Sequence, residues 1–161
     1  MAAVSKAKPT IVLIPGGWHS PVHFDLLTAQ LRQAGYDVTS LALPSVDPEN
    51  ASVHTVVTDA AFIRRKLLLP LLEEQKDVLL VMHSYGGCPG SAAAKGLSRR
   101  ERLAARQAGG IFGLAYISAF LANEGDSLFS SLGGKWDTWV VVDVGDKTHN
   151  SLPQCCTPEI A

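Results

Sequence analysis

The chain alternates short apolar runs with longer segments in which apolar residues recur every three or four positions. Residues 10–14, TIVLI, form the first continuous run, the pattern of a strand buried on both faces, and Pro15-Gly16-Gly17 stops it. Helical spacing follows over residues 21–35. Phe24, Leu27 and Leu31 share one face there, and Gly35 stands where a helix end takes a left-handed residue. Residues 36–44, YDVTSLALP, read as a second strand with Val38, Leu41 and Leu43 apolar and Pro44 at its end, and PSVDPEN is a turn-rich loop. The pattern then predicts a helix over 52–75, with Val53, Val56, Val57, Ala60, Ile63, Leu67 and Leu71 on one face. Pro70 should kink or end it locally, because proline lacks a backbone donor. Residues 77–83 are a third strand. Residues 85–97 are a third helix rich in small side chains, among them Ser91, Ala92, Ala93 and Ala94. Residues 98–110, SRRERLAARQAGG, are a basic connector of the kind that forms a solvated helix face. GIFGLAYISAFL, from Gly110, is a fourth strand, apolar on both faces; after Asn123 no period emerges.

Strands alternating with helices call for an α/β fold, a mainly parallel sheet with helices on both faces. Right-handed crossovers favour a doubly wound order of 2-1-3-4, whose switch point lies between strands 1 and 3. Ligands bind outside the carboxyl ends of the strands at that point. The turns PGGW and HSYGG should therefore face each other across one crevice.

Composition narrows the function classes. A length of 161 residues suits one domain, and 47% hydrophobic with 18% charged residues describes a chain with a real core. A net charge of −1 argues against nucleic acid or an anionic membrane as partner. The longest strongly apolar run, residues 67–72, contains Pro70 and is too short to span a bilayer. The N-terminal segment lacks a signal-length apolar stretch, so a cytoplasmic location is expected. Cys88, Cys155 and Cys156 are too few and too irregular for a disulfide framework or a zinc site; Cys88 reads as a core residue and the other two as free thiols. No metal and no cofactor is expected.

The two turns carry the candidate chemistry. A serine hydroxyl needs a base for its proton and donors for the oxyanion it creates. A sharp strand-to-helix turn exposes the serine oxygen and aims the next N–H at the same point. Ser84 is followed by Tyr85, Gly86 and Gly87; Gly86 meets the need for a small residue two places on, whereas Met82 occupies the place where G-x-S-x-G has glycine. Gly17 is the best candidate for a second backbone donor, since glycine lets the main chain approach a substrate closely. Two other readings of these turns stay open. One is phosphate binding, although neither turn matches G-x-G-x-x-G or a Walker pattern; the other is a plain structural loop.

The combination of IVLIPGGWHSPVHFDLLTAQLRQAGYDVTSLALPS, VLLVMHSYGG and GLAYISAFLANEGDSL resembles the α/β-hydrolase superfamily. More narrowly, it is similar to compact fungal esterase-like members related to plant methylesterases and hydroxynitrile lyases. The resemblance covers residues 10–132. It implies Ser84 as nucleophile and the backbone N–H groups of Tyr85 and Gly17 as oxyanion hole, with Pro15-Gly16 standing where many members have His-Gly. It divides the chain into a partial core, residues 1–122, and the start of a cap with an irregular tail, residues 123–161. The acid and histidine of the triad would follow later strands, beyond Ala161, so the resemblance implies a truncated fold with an incomplete triad.

Other histidines compete for the missing role. The His83 side chain should point away from Ser84, and His54 reads as a surface residue. His19 and His23 lie beside the first turn, where His19, with Trp18, is a candidate for substrate contact. His149 follows Asp143 and Asp146 in the right order, but GDKTHNS offers no strand end to hold it within about 3 Å of a serine. The expectation is a serine hydrolase, esterase- or lactonase-like, acting on a small carboxylic ester with impaired activity. The alternative is an inactive hydrolase-like module that binds a ligand or partner, a second copy of itself included, through the exposed edge of the fourth strand. A lyase or acyltransferase on the same fold is a further reading, because fold does not fix reaction.

Overall fold

A computed structural model describes residues 8–46, 54–123 and 125–135. Strand β1 (Thr10–Ile14) is buried along its whole length, as its unbroken apolar sequence requires. Strands β2 (Val38–Ser40), β3 (Asp77–His83) and β4 (Gly110–Ile117) join it in one parallel sheet of order β2-β1-β3-β4. This is the doubly wound order expected from the alternation of elements. Side chains that alternate along each strand divide between two cores. Val12, Ile14, Leu80 and Met82 face one core, while Ile11, Leu13 and Val81 face the other.

Helix α1 (Asp25–Gln33) follows a single 3₁₀ turn, Pro21–Phe24, and closes the second core with Phe24, Leu27 and Leu31. Gly35 takes the left-handed conformation (φ 81°) that the chain reversal needs. The second strand is shorter than its apolar pattern suggested. Beyond Ser40, whose hydroxyl donates to the Leu13 carbonyl at 2.8 Å, Leu43 is buried from a loop outside the ladder.

The helix expected over 52–75 divides into three pieces: α2 (Val56–Ile63), a π turn (Arg64–Leu68) and α3 (Leu69–Glu73). Thr55 caps α2 by accepting from the Thr58 N–H, and residues 52 and 53 lie outside the described set. The π turn shifts the register so that Pro70 falls in the first turn of α3, where a missing donor is tolerated. Val57, assigned to the buried face from the pattern, is 68% exposed, whereas Asp59 is 0% exposed.

After β3 a 3₁₀ turn (Ser84–Gly86) leads into α4 (Gly87–Ala94), and Cys88 is buried as expected. Helix α5 (Arg99–Ala104) carries the basic connector. It is solvated except at Arg102, whose guanidinium donates to the carbonyls of Leu72 (3.1 Å), Ala108 (3.0 Å) and Gly109 (3.1 Å). The positive run therefore ties the end of α3 to the loop before β4. Strand β4 is the sheet edge among the described residues, so its outer part is not buried: Phe112 is 50%, Leu114 42% and Ile117 46% exposed. A short helix, α6 (Leu128–Ser131), follows, and most of the segment 135–143 assigned to a cap lies outside the described residues, as do His149, Cys155 and Cys156. Among the described residues, no helix is long and apolar enough to cross a membrane.

Candidate active site

Strands β1 and β3 end side by side, with Ile14 paired to Met82, so the turns that follow them lie in contact. A Cβ added at Gly16 would stand 2.8 Å from Ser84 Cβ, and one at Gly86 would stand 2.5 Å from the Pro15 carbonyl oxygen. Both positions are closed to any side chain by the opposing turn. At Gly17 an added Cβ would lie 3.7 Å from Tyr85 Cβ, so the two residues expected to act together are neighbours across the crevice.

Ser84 has φ 50°, in the left-handed region that a non-glycine residue enters only when its surroundings hold it there. Its carbonyl accepts from the Phe120 N–H at 3.0 Å, which fastens the segment after β4 to the same turn. Three strand ends thus converge on Ser84. Trp18, also left-handed (φ 61°), is half-exposed beside Gly17.

His19 and His23 gather near the strand ends with His83. The His19 ring meets the His23 ring at 4.7 Å and the His83 ring at 5.1 Å between centroids, both edge-on. His19 Nδ1 donates to the Gly17 carbonyl at 2.7 Å, leaving Nε2 as its acceptor in the neutral ring. His83 titrates below the ordinary histidine range, first because it is partly buried and then because positive charge on His19 and His23 repels its own. Among the described residues, no imidazole or carboxylate is hydrogen-bonded to the Ser84 hydroxyl. No group of three or more His, Cys, Asp or Glu among them could hold a metal ion.

One buried cluster behind the turn was not singled out from the sequence. The Tyr85 ring packs into the core, and its hydroxyl donates to Asp59 Oδ2 at 2.9 Å. Ser45 donates to the same carboxylate twice, through Oγ to Oδ2 at 2.5 Å and through its N–H to Oδ1 at 3.2 Å. Burial raises the Asp59 pKa, against the opposing pull of these hydrogen bonds and of the charge on His54. A signal was present: Asp59 stands three residues after Val56 and four before Ile63, a carboxylate inside an apolar helical stripe.

Comparison with known proteins extends the picture. The family model for the alpha/beta hydrolase family matches residues 11–150. Among curated relatives, the chain is 29% identical over 164 residues to alpha/beta hydrolase nvfD of Aspergillus novofumigatus, covering 96% of this chain and 64% of that protein. It is 34% identical over 121 residues to a carbendazim hydrolyzing esterase of Nocardioides, covering 75% of this chain and 46% of the relative. The chain therefore spans about half to two thirds of the length of these relatives. A solved extracellular alpha/beta-hydrolase from a Paenibacillus species shares the fold, with a TM-score of 0.54 at 20% identity over 76% of this chain and 46% of its own. Sheet order, the paired turns at the switch point and a family match over most of the sequence agree: the chain belongs to the alpha/beta hydrolase family.

Proposed function

We propose that Ser84 is the nucleophile of a serine hydrolase acting on a small carboxylic ester or lactone. The observation that carries this reading is the left-handed Ser84 held against the Gly16-Gly17 turn. In such a geometry Ser84 Oγ attacks the ester carbonyl carbon. The N–H groups of Tyr85 and Gly17 receive the oxyanion; the ester C–O bond then breaks as the acyl-serine forms, the serine proton passing through solvent to the departing alkoxide, and water later cleaves the acyl-serine to the acid. Trp18 and His19 line the approach to Ser84. The relative named as an esterase supports an ester substrate, and nvfD, named as a hydrolase, supports hydrolysis.

A fluorophosphonate probe tests the assignment. Labelling forms an Ser84 Oγ–P bond, expels fluoride and releases the serine proton to solvent. Ser84→Ala should abolish it, and wild-type protein that labels no faster than this variant would overturn the assignment.

A second reading rests on β4. Among the described residues, Phe112, Leu114 and Ile117 leave an apolar edge strand with no charged residue in it, the feature through which sheets of two chains pair. A hydrolase-like module acting through self-association would sediment as a dimer at micromolar concentration, and Leu114→Lys would return it to monomer. A wild-type monomer across that range refutes this reading.

A further inference from the structure

From the buried cluster we infer that Asp59, held by Ser45, is a positioning residue that sets the Tyr85 backbone N–H for the Ser84 oxyanion. The inference rests on the assignment of Ser84 and Tyr85 above. Three elements distant in sequence meet at one carboxylate: the 3₁₀ turn Pro44–Val46, helix α2 and the turn after β3. Asp59 is fully buried and Tyr85 is 2% exposed, so neither group serves solubility or contacts solvent. A buried carboxylate is costly unless fully hydrogen-bonded. An apolar residue would fill the same place on α2 without that cost, so stability alone does not explain an aspartate here.

The geometry does explain it. Tyr85 directly follows Ser84, so the orientation of its peptide N–H is coupled to where its side chain is fastened. That side chain is fastened at both ends. Its Cβ lies in the crevice opposite Gly17, and its hydroxyl is bonded to Asp59 at 2.9 Å. Ser45, donating twice to Asp59, removes the remaining freedom of the carboxylate. An oxyanion donor must be in place before charge develops, because rearranging it during reaction forfeits the benefit. The Ser45–Asp59–Tyr85 chain supplies that pre-positioning from behind, without touching the substrate.

Tyr85→Phe removes one hydroxyl and keeps the packed ring; Asp59→Ala removes the acceptor; Asp59→Asn keeps an acceptor oxygen. With a fluorophosphonate probe, the maximal labelling rate and the probe concentration at half-maximal rate are measured separately, on variants confirmed as folded by thermal unfolding. Tyr85→Phe and Asp59→Ala should each lower the maximal rate about 5- to 20-fold, within the span of an impaired oxyanion donor. The half-saturating concentration should not change. The double variant should label no slower than the worse single, because both act through one bond. Asp59→Asn should recover most of the rate. Should Asp59→Ala not fold, Tyr85→Phe decides alone. Wild-type maximal rate in Tyr85→Phe, or multiplied losses in the double variant, overturns the inference. Wild-type labelling equal to that of Ser84→Ala instead overturns the nucleophile assignment itself.

Discussion

Replacing Gly16 by alanine perturbs the contact between the two turns by a single methyl group. That methyl would lie 2.8 Å from Ser84 Cβ, 3.1 Å from His83 Nδ1 and 3.3 Å from the His83 carbonyl oxygen. Carbon atoms rest about 3.5–4.0 Å apart, so roughly 0.7–1.2 Å must be recovered by moving one turn away from the other. None of the three atoms is the free end of a flexible side chain. Overpacking of this kind costs about 1–3 kcal/mol. For a chain of this length that is a fall in unfolding midpoint of roughly 2–12 °C. A displacement near 1 Å at reacting groups lowers rate by about 10²-fold. Gly113→Ala is the control. Its methyl meets only Leu79 Cδ1 at 3.1 Å, the mobile tip of a side chain on the neighbouring strand, away from Ser84. Fluorophosphonate labelling rates and thermal midpoints are measured for both. Gly16→Ala should label about 10- to 100-fold more slowly at a temperature where it remains folded, and Gly113→Ala within about twofold of wild type. Equal rates for the two variants would refute the claim that the β1 turn presses on Ser84.

Two further predictions concern stability. Arg102→Ala breaks bonds to three backbone carbonyls and should cost about 1–3 kcal/mol. It should lower the midpoint in differential scanning calorimetry by several degrees, while the exposed Arg100→Ala stays within about 0.5 kcal/mol of wild type; matching midpoints would show the guanidinium to be idle. Asp59 has a raised pKa in the folded state, so as pH rises past about 4 the unfolded chain releases this proton first and stability falls. Asp59→Asn removes that slope, so the midpoint of the variant relative to wild type should climb between pH 4 and 7, and a constant difference would contradict burial as the dominant influence.

Much of the fold was legible because its signals are local. The apolar runs TIVLI and DVLLVMH, each closed by small or turn-forming residues, carry strands β1 and β3 with their observed boundaries. Gly35 and Pro70 announce where helices end or change register. The expectations that moved did so for tertiary reasons. Leu43 is apolar because it is buried, but it is buried from a loop, and hydropathy does not separate the two cases. Val57 follows the helical period loosely and faces solvent, because the register of α2 is set by the Thr55 cap and by the buried position of Asp59. Arg102 belongs to a basic run whose other members are solvated, and only the approach of α3 and the Gly109 loop singles it out.

The candidate site divides in the same way. The order of apolar and glycine-rich segments by itself determined that Ser84 follows a buried strand and that a second glycine turn ends another, because strand period and turn chemistry are properties of neighbouring residues. The sheet order then follows from chain connectivity and handedness. Only the tertiary structure decided that Gly16 touches Ser84, that Phe120 secures the same turn, and that Ser45 and Asp59 stand behind Tyr85. Those contacts join residues 14 to 68 positions apart in the chain, and no local preference encodes them. They exist because three strands end together, and close packing at that end leaves room for one arrangement.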